Sequence, residues 1–138
     1  MAHIALKSQE SNSLHWIHNE YNDARRQQML IHIYLDDFRP PPKGFMHAKS
    51  ADECILLLDN YEVEILSLDY DLGWGQKTGY DVARWIAQHN KFPREIYLHS
   101  SSPSARVRMY ELLDRAKPAD VVVQNAQVPD ARLIEINK

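Results

Sequence analysis

Two apolar runs that each end in carboxylates constrain this chain more than any other feature of it. The first is Met29–Leu35, followed at once by Asp36-Asp37. The second is Ile65–Leu68, followed by Asp69 and, one residue further on, Asp71. Runs of this length and type read as strands buried on both faces, and therefore as members of a parallel sheet. Behind the second pair come Gly73, Gly75 and Gly79, with polar and aromatic residues between them. Strand, acids, Gly-rich turn and helix form the pattern of a site at the carboxyl end of a parallel strand.

The rest of the chain supplies the alternation that such a sheet needs. Ser11-Asn12-Ser13 could cap a helix with Leu14, Ile17, Tyr21 and Ala24 on one face. Residues 1–28 therefore read as a helical extension to a domain of residues 29–138. Phe38–Gly44 holds three prolines, which exclude a helix and favour an extended loop. Phe45–Ala48 reads as a short strand. Ser50 and Glu53 form a capping box that starts a helix ending near Asn60, with Ala51, Cys54, Ile55 and Leu58 on its apolar face. Tyr80–Asn90 is a second helix, with Val82, Trp85, Ile86 and His89 turned inward. Glu95–Leu98 is a strand that ends in His99-Ser100. Ser102 and Pro103 open a helix that stops before Pro118, and Asp120–Val123 is a last β-branched strand. Arg132–Ile136 reads as a further edge strand or a loose tail. Together these predict an α/β fold: a flavodoxin-like, doubly wound parallel sheet of five strands, covered on both faces.

Composition narrows the functional classes. A chain of 138 residues can build its core without staples. The net charge of −3 argues against a broad DNA- or RNA-binding surface and leaves room for a local basic rim. The single cysteine, Cys54, excludes a disulfide within the chain and reads as a small buried hydrophobe. The N-terminus lacks the apolar core of a signal peptide, and no stretch approaches the roughly 18 apolar residues of a membrane span. The expectation is a soluble, cytoplasmic protein. His15 and His18 are spaced to share a metal, but without a third ligand nearby they read as surface histidines.

In a doubly wound sheet the ligand sits outside the carboxyl ends, where the first and third strands diverge. Asp36, Asp37, Asp69 and Asp71 would converge there. Left unpaired, they would repel and raise one another's pKa. A divalent cation relieves that, and an oxygen-only set points to Mg²⁺ or Mn²⁺ rather than zinc. Asp37 and Asp69 are the first candidates; Asp71 could act through its side chain or only its backbone. The plainer alternative, loop acids that cap the following helices, suits one pair better than two. His99 is placed for proton transfer near neutral pH, and the Ser100 hydroxyl could hold a phosphate oxygen. Arg39, Lys43, Lys77 and Arg106 could reach a phosphate, Arg39 and Arg106 in bidentate fashion. Arg106 lies early in its helix, whose free N–H groups also favour an anion.

This arrangement resembles a response-regulator receiver domain. Asp36-Asp37 matches the metal-binding pair, Asp69 the phosphoacceptor position, Gly79 the loop glycine and Ser100 the hydroxyl residue. It departs in four places. Val121-Val122-Val123-Gln124 brings no lysine after the fifth strand. The loop Leu72–Thr78 is longer and Gly-rich. Phe38–Gly44 stands where a receiver has its first helix, and His99 precedes the hydroxyl residue.

A closer resemblance accounts for these departures. Leu35-Asp36-Asp37-x-Arg39-Pro40, Ser67-Leu68-Asp69-x-Asp71-Leu72-Gly73, Lys77-Thr78-Gly79-Tyr80-Asp81-Val82, and His99-Ser100 with Arg106 following are similar to the cyclic-phosphate-processing receiver-like family. The resemblance implies a metal-dependent phosphoesterase acting on cyclic phosphate ends, of RNA or a nucleotide, rather than a phosphorelay partner. On that reading Asp36, Asp37, Asp69 and Asp71 surround Mg²⁺ or Mn²⁺, and His99 and Asp69 are catalytic. Arg39, Lys77, Thr78, Gly79, Ser100 and Arg106 face the phosphate. Tyr70 stands where the family commonly has His between the two aspartates, which leaves more weight on His99. Two other readings are a non-enzymatic receiver module phosphorylated on Asp69, and a phosphate- or nucleotide-binding protein without turnover.

Overall fold

In the computed structural model, which describes residues 30–138, five parallel strands form one sheet in the order β2-β1-β3-β4-β5. They are β1 (Ile31–Leu35), β2 (Met46–Ala48), β3 (Val63–Leu68), β4 (Glu95–Leu98) and β5 (Val122–Gln124). Four helices accompany them: α1 (Ala51–Asn60), α2 (Gly79–His89), α3 (Pro103–Ala116) and α4 (Asp130–Ile136). The five-stranded, flavodoxin-like α/β architecture expected from the strand–helix alternation is what forms. The expected helix within residues 1–28, with His15 and His18, lies outside the described residues.

Alternation along the strands divides the sheet into two unlike faces. Ile33, Leu35, Leu66, Leu68, Ile96, Leu98 and Val123 point to one of them. They pack against Ala51, Cys54 and Leu58 of α1, Val82, Ala83 and Ile86 of α2, and Met109 and Leu113 of α3. This is the main core, and Cys54 is buried in it as a hydrophobe. The residues between belong to the other face: His32, Tyr34, Ile65, Ser67, Glu95 and Tyr97. There Phe45, Ile65 and Tyr97 form a smaller cluster with Tyr34, Val128, Leu133 and Ile136. The strands are thus not uniformly apolar, and the second face carries most of the sheet's polar side chains.

The helix starts follow the local sequence. Ser50 Oγ accepts the Glu53 N–H at 3.1 Å, and Glu53 accepts the Lys49 N–H at 2.9 Å. Ser102 caps α3 by accepting the Ala105 N–H, with Pro103 in the first turn, where its missing N–H has no cost. Two expectations are corrected. Arg132–Ile136 is neither strand nor tail but part of α4, because Arg132, Leu133 and Ile136 share one helical face. Arg132 Nη2 donates to Glu95 Oε2 at 2.8 Å, while Leu133 and Ile136 pack beneath it. His89 does not face the core. It is the last residue of α2, where it stacks on Trp85 at 4.6 Å and is exposed. No helix among the described residues is long and apolar enough to cross a membrane.

Candidate active site

Register builds the site. Leu35 pairs with Leu68, and Leu68 with Leu98, across three adjacent strands. The next residue of each strand is Asp36, Asp69 and His99. Ladder hydrogen bonds carry the alignment one residue past the strand ends: Asp69 N–H to Leu35 O at 3.1 Å, and His99 N–H to Leu68 O at 2.9 Å. Asp36 N–H is tied in turn to Ala48 O on β2 at 3.0 Å. All three side chains point to the polar face. They present ligand atoms within 4.8 Å of one another, the separation that parallel strand spacing dictates.

Asp36 is fixed at both oxygens. Oδ1 accepts the N–H groups of Phe38 and Arg39, each at 2.8 Å, and Oδ2 lies 3.0 Å from His99 Nε2. Burial alone would push this carboxyl up; the two N–H donors and His99 outweigh it and hold the pKa below the ordinary value. His99 is enclosed. Its ring stacks on Tyr34 at 4.3 Å, its side chain is 3% exposed, and its Nδ1 lies 2.7 Å from the hydroxyl of buried Ser67. Burial lowers its pKa, with Asp36 pulling the other way, so the resting ring is neutral. The tautomer that satisfies both contacts has Nε2–H donating to Asp36 and Nδ1 accepting the Ser67 O–H.

Asp69 is the group out of balance. Its pKa is pushed up to about 6, first by burial and then by the charges of Asp36 and Asp37. The Tyr70 N–H, at 2.8 Å, and the positive charge of Arg39 offset this only in part. A divalent cation would relieve this imbalance, and the groups that could hold one are the Asp36 and Asp69 oxygens with His99 Nε2. The Ser67 hydroxyl can serve either tautomer. If it accepts from Nδ1–H instead of donating, the Nε2 lone pair is free for a metal, with its orientation held from behind. Two oxygens and an imidazole suit Mn²⁺ better than Mg²⁺, which prefers oxygen alone.

The other residues singled out by sequence fall into distinct places. Asp37 is exposed at the mouth, with its carboxylate against the Gly73 turn. Asp71 is exposed, and its carboxylate accepts the Gly73 N–H at 3.0 Å, shaping the loop. Gly79 opens α2 with its N–H on Tyr70 O at 2.9 Å. A Cβ there would lie 1.9 Å from the Asp69 carbonyl oxygen, so only glycine lets α2 approach the acid strand. Thr78 donates its N–H to Asp81 at 2.8 Å, capping α2. Lys77 pairs with Asp52 at 2.9 Å beside α1. Ser100 is buried beside His99, and its hydroxyl accepts the Ser102 N–H at 3.2 Å. Arg106 donates Nη1 to Ser100 O at 2.6 Å and Nε to Asn125 at 3.2 Å, tying the β4 and β5 loops together. Beside it lies an open cavity of ≈ 240 Å³, lined by His99, Ser100, Arg106, Asn125 and Gln127 among others.

Three contributors were not singled out from the sequence: Tyr34, Ser67 and His47, whose Nε2 lies 2.7 Å from the Asp36 carbonyl oxygen. Tyr34 and Ser67 each sit two residues before a site acid, so period-two alternation identifies them. His47 depends on the β1–β2 register and left no signal.

The family model for the cyclic-phosphate processing receiver domain matches residues 31–115, from β1 into α3. The chain belongs to this family. The match takes in Asp36, Asp37, Asp69, His99 and Arg106, and stops before β5 and α4. No curated protein and no solved structure matches the chain. As a cyclic-phosphate processing receiver domain, it keeps the acid-tipped strands and has Gln124 and Asn125 at the end of β5, where a phosphorelay receiver would have lysine.

Proposed function

We propose that this protein is a metal-dependent phosphoesterase that hydrolyses 2′,3′-cyclic phosphates. The observation that carries the reading is the alignment of Asp36, Asp69 and His99 on adjacent strands, with Asp69 raised to about 6 by burial and by the charges of Asp36 and Asp37. Asp36 and Asp69 would hold a divalent cation there, which would supply positive charge for a phosphoryl oxygen and lower the pKa of a water. Asp36, locked by two N–H donors, offers a fixed oxygen without reorganising. Water attacks phosphorus, the bond from phosphorus to one ribose oxygen breaks, and that oxygen takes a proton. We assign the proton relay to His99, which lines the cavity of ≈ 240 Å³: with Nδ1–H donating to Ser67, its Nε2 would take the proton released by the attacking water and pass it to the ribose oxygen, leaving the cation to the Asp36 and Asp69 carboxylates. Arg106 spends Nη1 and Nε on the loops, leaving Nη2 for a non-bridging oxygen. Arg39, whose charge already acts on Asp69 and His99, provides a second positive group.

The test is incubation of the full chain with 2′,3′-cyclic nucleotides and with RNA ending in the cyclic phosphate, across Mn²⁺, Mg²⁺ and other divalent ions. Turnover that is greatest with Mn²⁺ and lost in Asp69→Asn supports the reading. Absence of turnover with every metal and substrate removes it. The receiver alternative has its own arm. A stable beryllofluoride or acetyl-phosphate adduct on Asp69, absent from Asp69→Asn, would put phosphoacceptance in place of hydrolysis.

A further inference from the structure

Among the described residues, the two most exposed large apolar side chains are aromatic: Trp74 at 99% and Phe38 at 88%, with Ile134 next at 65%. Both sit on loops that leave acid-bearing strands, Phe38 directly after Asp36-Asp37 and Trp74 in the Gly-rich loop after Asp69-x-Asp71. Neither loop is loosely held. Phe38 is tethered by its own N–H to Asp36 Oδ1 at 2.8 Å. Trp74 occupies a turn closed by the Gln76 N–H on Gly73 O at 3.2 Å. Gly73 at φ +110° and Gly75 at φ +75° flank it in a backbone region that other residues rarely adopt. Two flexible residues are thus spent on turning an indole into water. The loops meet at the mouth of the site, where a Cβ on Gly73 would lie 3.7 Å from Asp37 Oδ2.

Single exposed apolar residues are ordinary on protein surfaces. Two aromatic rings, both on the loops around one acid cluster and both without a packing role in the domain, point to a flat apolar ligand part. Resting on the phosphoesterase reading, we propose that Phe38 and Trp74 form a base-stacking platform beside the cyclic phosphate. The preferred substrate is then a single-stranded RNA end of two or more nucleotides rather than a free cyclic mononucleotide. Stacking accepts any base because every base has a π-face. At a net −3 the protein draws little affinity from the phosphate backbone, so stacking supplies what counterion release cannot.

The experiment uses the full chain and a short fluorescein-labelled RNA ending in 3′-phosphate, which resembles the product and is not consumed. Anisotropy gives Kd for wild type, Phe38→Ala, Trp74→Ala, Trp74→Phe and the double alanine variant, with melting temperature as a check on folding. Each alanine variant should weaken binding about 5- to 150-fold, and Trp74→Phe should retain most of the affinity. Kd should change little with salt. Alanine variants that fold and bind as wild type overturn the proposal. So does sedimentation showing that the rings hold two copies of the chain together while RNA affinity is unchanged in the monomeric variant. The two readings fail separately. RNA binding that depends on Trp74, with no cyclic phosphate opened under any metal, keeps the platform and removes the phosphoesterase. Hydrolysis of cyclic mononucleotides as efficient as that of RNA ends, with an indifferent double variant, does the reverse.

Discussion

Replacing Asp69 with asparagine should stabilise the metal-free protein at neutral pH. Asn keeps the shape and the oxygen that accepts the Tyr70 N–H, and it removes a charge that burial, Asp36 and Asp37 all oppose. The folded pKa is about 6 against an ordinary 3.8. Between those values the folded protein holds a proton that the unfolded chain has released. Stability attributable to this group therefore falls as pH rises through that window, and stays low above it. A shift of about two units corresponds to at most ~3 kcal/mol. Asp69 is only half-buried, so screening by water reduces this to about 1–2 kcal/mol. For a domain of this size that is roughly 5–10 °C in Tm. The assay is thermal melting in EDTA from pH 4 to pH 8, wild type against Asp69→Asn at each pH, which cancels the other titrating groups. The difference should be near zero at pH 4, grow through pH 5–6 and level off above. Adding Mn²⁺ should raise the wild-type Tm and narrow the gap. A variant that melts at or below wild type at pH 8, or whose gain is the same at pH 4 and pH 8, refutes the electrostatic account of the site.

Three further outcomes follow from contacts already described. Ser67→Ala strands His99 Nδ1 in the interior and should cost about 1–3 kcal/mol in urea denaturation; it should also lower turnover, because the imidazole loses the hydroxyl that serves both tautomers. Gly79→Ala should cost more than about 2 kcal/mol, since its Cβ meets the Asp69 backbone, whereas Gly75→Ala has open space and loses only about 1 kcal/mol to its positive φ. Arg132→Met removes the partner that, against the opposing effect of burial, holds Glu95 below its ordinary pKa. Its destabilisation should be full at pH 7 and shrink as pH falls below the ordinary glutamate value of 4.5, as wild type also loses the pair; a penalty independent of pH would make Arg132 a packing residue.

The fold was legible because each main-core strand and helix announces itself locally. The Ser50 and Ser102 caps, the Pro103 start and the apolar runs of β1 and β3 are all short-range signals, and each sits where the chain needs it. What escaped was long-range or too short to show a period. The seven residues of α4 span barely two turns, so a helical face of Arg132, Leu133 and Ile136 looks like a β-branched scrap. The roles of Lys77, Thr78 and Gly79 were blurred for a different reason. Their motif predicts where the chain goes but not which atoms it spends there. Lys77 pairs with α1, Thr78 caps α2, and Gly79 makes room for the Asp69 carbonyl.

Reading β1 and β3 as uniformly buried hid the feature that organises the site. In a sheet with one strongly apolar face, the residue after the last core position of each strand must point the other way. Leu35, Leu68 and Leu98 are in register and fully buried, so Asp36, Asp69 and His99 are forced side by side onto the polar face. The same alternation places Tyr34 and Ser67 one step below, as a stacking partner and a hydrogen-bond partner for the imidazole. The core therefore does more than stabilise the domain. Slipping β3 by one residue against β1 would bury Asp69 among leucines, a register that the hydrophobic effect forbids. The geometry of the acid cluster is fixed by the leucines beneath it, so a change in that core should disturb the site before it unfolds the sheet.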